Sequence, residues 1–160
     1  MRALLLALML TAASPFAAIP AAAETEAPYS GSVEVETNEP FMPYTAALKE
    51  AIGVNGFTII GIACANCAIK GVFNEIVPGN RVFLFFRPDF ARRMLNASTA
   101  AGIEAPIRLY VTEETDGSAV VTYRLPSHVF GAYGNDALTA MGRELDAHVE
   151  AILETAAAKF

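Results

Sequence analysis

The chain has 160 residues, 17 acidic and 11 basic side chains, a net charge of −6 and 54% hydrophobic residues. The acidic balance argues against nucleic acid or an anionic lipid surface as the main partner. The length suits one domain with its own core.

The first 23 residues, "MRALLLALMLTAASPFAAIPAAA", place Arg2 before an apolar run from Ala3 to Leu10 and end in small residues, with Ala21 and Ala23 preceding Glu24. That is the grammar of a signal peptide cleaved after Ala23, and the run is too short to span a bilayer. A periplasmic or secreted protein is therefore expected, with no stable membrane span after cleavage. Residues 24–30, "ETEAPYS", read as a flexible lead, and residues 31–157 as a single domain.

In "GSVEVET" (31–37), Val33 and Val35 alternate with polar residues, which predicts a strand with one wet face. Pro43, then Tyr44, Leu48 and Ile52 at intervals of four, with Ala47 and Ala51 beside them, predict a helix with one buried stripe. "FTIIGIA" (57–63) reads as a buried strand. "CAIKGVFNEIV" follows, with Ile69, Val72, Phe73 and Ile76 at the spacing of an amphipathic helix, which Gly71 weakens by roughly 1 kcal/mol relative to alanine. "RVFLFF" (81–86) reads as a further buried strand. Pro88 opens a helix with Phe90, Met94 and Leu95 on its apolar face, and Arg92 and Arg93 on a solvated one.

Two β-rich runs, 107–112 and 119–125, flank Asp116–Gly117, a hairpin turn in which glycine tolerates the positive φ required. "PSHVFGAYGND" reads as a loop. The last helix, capped by Asn135 or Asp136, buries Leu138, Met141, Leu145, Val149 and Ile152. Helices and strands do not alternate strictly, and one strand pair is a hairpin. The fold class is α+β, a largely antiparallel sheet packed by helices.

The segment "GIEAPIRLYVTEETDGSAVVTYRLPSHVFGAYG" (102–134) resembles the domain of unknown function 302 family, through Pro106, Tyr110–Val111–Thr112–Glu113, Asp116–Gly117, and Tyr123 with Pro126. "ALKEAIGVNGFTII" and "NRVFLFFRPDFARRML" look like further elements of that family, and the resemblance covers about residues 31–155. It implies a compact α+β domain similar to the TATA-binding-protein-like arrangement and a homodimer. It implies no established activity, and fold alone licenses no chemistry.

The chemistry rests on Cys64 and Cys67, the only two cysteines, spaced C-x-x-C at a predicted helix start. Free N–H groups and the helix dipole favour a thiolate there. Three readings stand together. The pair is a soft-metal site, for which two thiolates suit Cu(I) and further ligands would suit Zn(II). It is a thiol–disulfide exchange centre, with Cys64 attacking and Cys67 resolving. Or it is a structural disulfide or inert pair, as an oxidising compartment permits.

Residues 61–86, "GIACANCAIKGVFNEIVPGNRVFLF" and onward, resemble the metal loop of heavy-metal-associated domains. Ile62 stands where that motif has methionine, and Pro88 opens a helix where that fold continues with a strand, so the similarity is one of site rather than fold. His128, in the predicted loop, is the candidate third metal ligand. His148 falls near the stripe of the last helix and reads as a histidine paired with water or a carboxylate. Met94 and Met141 read as core. No phosphate-binding glycine loop, dinucleotide fingerprint or nucleophile elbow is present. The expectation is a non-enzymatic binding protein for a small ligand or a soft metal, with thiol exchange and an inert disulfide as alternatives.

Overall fold

The alternation at Val33 and Val35 becomes β1, Ser32–Pro40, which ends three residues beyond the sequence pattern and whose pairing with its neighbour shifts register between Glu36 and Pro40. The structure is a computed structural model and describes residues 30–160; the expected signal peptide and nearly all of the flexible lead lie outside the described residues. Helix α1, Phe41–Val54, buries Tyr44, Ala47, Leu48, Ala51 and Ile52, the stripe expected from their spacing. Then come β2 (Thr58–Ala63), α2 (Ala65–Phe73), β3 (Asn80–Phe86), α3 (Pro88–Ala97) and a short 3-10 helix (Thr99–Glu104). The chain closes with β4 (Ile107–Glu113), β5 (Ser118–Arg124), α4 (Pro126–Gly131) and α5 (Asp136–Ala157).

The five strands form one antiparallel sheet in the order β1-β5-β4-β3-β2. The β4–β5 hairpin turns at Asp116–Gly117 as expected. Gly117 has φ +85°, and Asp116 Oδ1 accepts from Ser118 N–H at 2.9 Å. One face of the sheet, with Val33, Val35, Phe83, Phe85, Leu109, Val111, Val121 and Tyr123, packs beneath α1, α3 and α5. At α5, Asn135 is the cap: its Oδ1 accepts from Ala137 and Leu138 N–H at 2.9 and 3.1 Å. The side chain of Asn bonds the free N–H groups that begin any helix.

Four expectations change. The run 57–63 reads as a buried strand, yet β2 is the sheet's edge, and Ile60 and Ile62 are exposed. An apolar run shows that a strand is possible, not how many neighbours it has. The predicted loop at Pro126 is instead the short helix α4, begun by Pro126 in its first turn and docked on α5. The close approach is made at Gly142, where a Cβ would meet the backbone of Pro126 and Ser127. Leu95 is half-exposed; only Phe90 and Met94 of the α3 trio are buried. Arg93 does not simply face solvent, because its guanidinium reaches Glu144 of α5 through two bonds of 2.6 and 2.7 Å.

Candidate functional site at the Cys64–Cys67 turn

Strand β2 delivers Cys64 in extended conformation to the N-cap of α2. Its Sγ accepts from Cys67 N–H at 3.1 Å, and the two cysteines form a disulfide with Cα atoms 5.3 Å apart. The start of β3 clamps this turn. Asn80 Oδ1 accepts from Ala65 N–H at 3.0 Å, and Arg81 Nη1 donates to Asn66 Oδ1 at 2.6 Å. Asn66 Oδ1 also lies 3.0 Å from Cys64 Sγ. A disulfide sulfur has no proton, so this is a contact in the oxidised pair and becomes a hydrogen bond only when Cys64 is a thiol. The Arg81 guanidinium lies 5.5 Å over the Phe41 ring, which fixes it beside the turn.

Helix α2 has no buried residue. Asn74, at φ 56°, ends it in a left-handed cap, so Ile76 falls outside the helix. The expected apolar stripe meets no core: Val72 is 74% exposed, Phe73 67% and Ile76 89%. Ile60 and Ile62 of β2 are exposed as well. Cys67 is exposed and Cys64 half-buried.

His128 is not brought to this turn. It lies on α4, with its ring against Gly31 and its Nε2 3.4 Å from Ser30 Oγ, beside the β1 edge. The cysteines leave the β2 edge, four strand spacings away, which at about 4.8 Å each is roughly 19 Å. Among the described residues, no three His, Cys, Asp or Glu side chains gather as a metal cluster. The donors present at the turn are the two sulfurs.

His148 has the carboxylates of Asp89 and Glu144 near it and two aromatic rings against it. Its ring packs edge-on against Phe57 (5.6 Å) and Phe90 (5.5 Å). Arg87 covers both phenylalanines, at 5.1 and 4.4 Å from the ring centres, and pairs with Asp89 at 2.8 Å. Burial, and then the Arg87 charge, hold the His148 imidazole below its usual value. The unfolded chain, with an ordinary histidine near 6.5, then binds the proton more readily. His148 therefore contributes stability that is fully present above pH of about 6.5 and is lost as pH falls towards the lower folded value. Urea unfolding at pH 7.5 and 5.5 is expected to show less acid destabilisation in His148→Gln than in the wild type. An unchanged difference between the two pH values would contradict this assignment.

The other face of the sheet carries a cleft of about 290 Å³, at the end bounded by the 3-10 helix and α4. Its floor includes Val82, Ile107 and Tyr110, with Pro126, Val129 and Phe130 as one wall. Arg108 and Arg124 stand at its rim together with Glu104, whose carboxylate accepts from the Tyr133 hydroxyl at 3.1 Å. These residues carry no motif. The only sequence signal was the polar phase of the β4–β5 hairpin, in which Arg108, Tyr110, Thr122 and Arg124 alternate with core positions.

Fold and site together define an antiparallel α+β domain with helices on one sheet face and a disulfide-bonded C-x-x-C at an exposed helix start. The chain belongs to the DUF302 family, "Domain of unknown function DUF302", whose model matches residues 33–156. Its fold is similar to the crystal structure of an uncharacterized conserved DUF302 protein from Bacillus stearothermophilus, with TM-score 0.70 and 17% identity over 79% of this chain and 98% of that one. At that identity the likeness is one of fold. No curated protein matches the chain.

Proposed function

We propose that this DUF302 domain is an exported, non-enzymatic binding protein that, when reduced, holds a soft monovalent metal between Cys64 and Cys67. The observation that carries the reading is the placement of both sulfurs at the open start of α2, with the Cys67 N–H donating to Cys64 Sγ. Reduction leaves a Cys64 thiolate favoured by that N–H and by the helix dipole, against the Asn66 Oδ1 contact, which favours the thiol. Two thiolates suit Cu(I), whereas Zn(II) takes four ligands and finds two here. The export part rests on the N-terminal sequence pattern.

The test is a Cu(I) titration of the reduced protein against a competing chromophoric chelator. One equivalent is expected to bind at least a hundredfold more tightly than to the Cys64→Ala/Cys67→Ala variant. Equal affinity for the two proteins sinks the reading.

A second reading, thiol–disulfide exchange, is favoured by one observation: Cys67 is exposed, where a partner protein could reach it. A disulfide potential below about −300 mV would count against it. The homodimer belongs to the same proposal. The exposed face of α2 and the β2 edge supply apolar surface for a second copy, and sedimentation of Phe73→Glu beside the wild type reads it.

A further inference from the structure

We propose that the cleft at the end of the sheet bounded by the 3-10 helix and α4 is a second binding site, for a small organic carboxylate with a compact apolar body. It is distinct from the cysteine turn, which leaves the sheet at the β2 edge.

The argument starts from register. Tyr110 pairs with Thr122 across β4 and β5. Arg108 and Arg124 lie two residues beyond that pair on β4 and β5, where Arg108 pairs Leu84 and Arg124 pairs Ser32, and both line the cleft. Neither arginine forms an ion pair with a carboxylate among the described residues, where the pairs are Arg87–Asp89, Arg93–Glu144 and Lys159–Glu50. Glu104, the carboxylate that does line the cleft, is bonded by the Tyr133 hydroxyl, and Glu34 on β1 lies across from Thr122 rather than from an arginine. The two arginines of the cleft therefore lack an ion-pair partner among the described residues, in a chain whose net charge is −6.

The remaining lining supplies the second half of the recognition. Val82, Ile107, Pro126, Val129 and Phe130 are apolar, and Tyr110 lines the same space. A cleft of about 290 Å³ sits at the lower end of the range for small-molecule sites, which are mostly apolar with a few placed polar groups. The guanidinium fork matches a carboxylate through two parallel N–H bonds, and such charge-assisted pairs are the stronger kind. A carboxylate held by Arg108 and Arg124 would supply the missing counter-charge, while the apolar body would leave water for the floor.

The test uses the oxidised full chain, so that the cysteine chemistry plays no part in it. Amide spectra are followed during titration with 2-naphthoate, with its neutral analogue 2-naphthylmethanol, and with inorganic phosphate. The expected result is saturable binding of 2-naphthoate, with shifts centred on Ile107, Tyr110 and Thr122, at least tenfold tighter than the alcohol or phosphate. Arg108→Gln/Arg124→Gln is expected to bring 2-naphthoate down to the affinity of the alcohol without changing the alcohol. Should that variant fail to give a folded spectrum, Tyr110→Asp, which adds a carboxylate to the same cleft, is expected to cause the same loss. Equal binding of acid and alcohol, phosphate binding as tightly as naphthoate, or shifts centred on α2 would each overturn the proposal.

Discussion

Replacing Gly142 by valine is expected to lower the free energy of unfolding by about 3 kcal/mol or more, measured by urea denaturation. A Cβ at this position would lie 2.7 Å from Ser127 Cα, 2.8 Å from the Pro126 carbonyl oxygen and 3.0 Å from Ser127 N. All three are backbone atoms, so no flexible side chain can swing away. Helix α4 would have to move off α5, disturbing buried Val129 and Phe130 and the 2.9 Å bond from Ser127 N–H to Asp146 Oδ1. Alanine separates the competing effects. In a helix interior it gains up to about 1 kcal/mol over glycine by propensity, while its Cβ meets the same backbone. Gly142→Ala is therefore also expected to destabilise, and a stabilised alanine variant would show that the α4–α5 approach is loose.

Reducing the disulfide, or substituting Cys64→Ala/Cys67→Ala, is expected to loosen α2 alone. Opening a four-residue loop removes about 2 kcal/mol of chain-entropy stabilisation. Because α2 buries no residue of its own, little packing holds it once the clip is gone. Amide hydrogen exchange in residues 65–73 should then quicken by about 30-fold, the equivalent of about 2 kcal/mol in local opening. The buried amides of α5 and β3 should keep their protection, since their contacts lie in the core and not at the cysteine turn. If the core amides quicken with those of α2, the disulfide supports the whole domain and the local account is wrong. The same experiment bears on function, because an α2 that melts on reduction would lose the N–H donation that favours the Cys64 thiolate.

Much of the architecture was legible because one face of each inner element is buried. Tyr44, Leu48 and Ile52 on α1, and Leu138 to Ile152 on α5, sit in the core where their periods placed them. Asp116–Gly117 turns the hairpin through local chemistry alone. The same reasoning misjudged β2 and α2. Their apolar residues have the right periods, but periodicity reports only which residues share a face, and whether another element covers that face is a tertiary matter. His128 was misread for a related reason. A histidine near a cysteine pair in function must be near it in space, and the strand order sends β1 and β2 to opposite edges.

The cleft was illegible in another way. Arg108 and Arg124 are 16 residues apart, and each reads as an ordinary exposed residue of an alternating strand. Only the pairing of β4 with β5 brings them to one cleft, and only the turn into α4 encloses the space beside them.

By itself, the sequence determined the α+β class, the hairpin, the helix caps and most of the core, because these follow from local conformational preference and from the periods of 2 and 3.6. It also determined that the cysteines would stand together at a helix start, since a spacing of three leaves them adjacent on the first turn. The tertiary structure decided what those features face. It left α2 and the β2 edge in solvent, parted His128 from the cysteines, folded α4 against Gly142, and brought two arginines to one cleft. The physical reason is range: dihedral preference and capping act within a few residues, whereas burial, register and the grouping of charges depend on segments that the chain brings together only when folded.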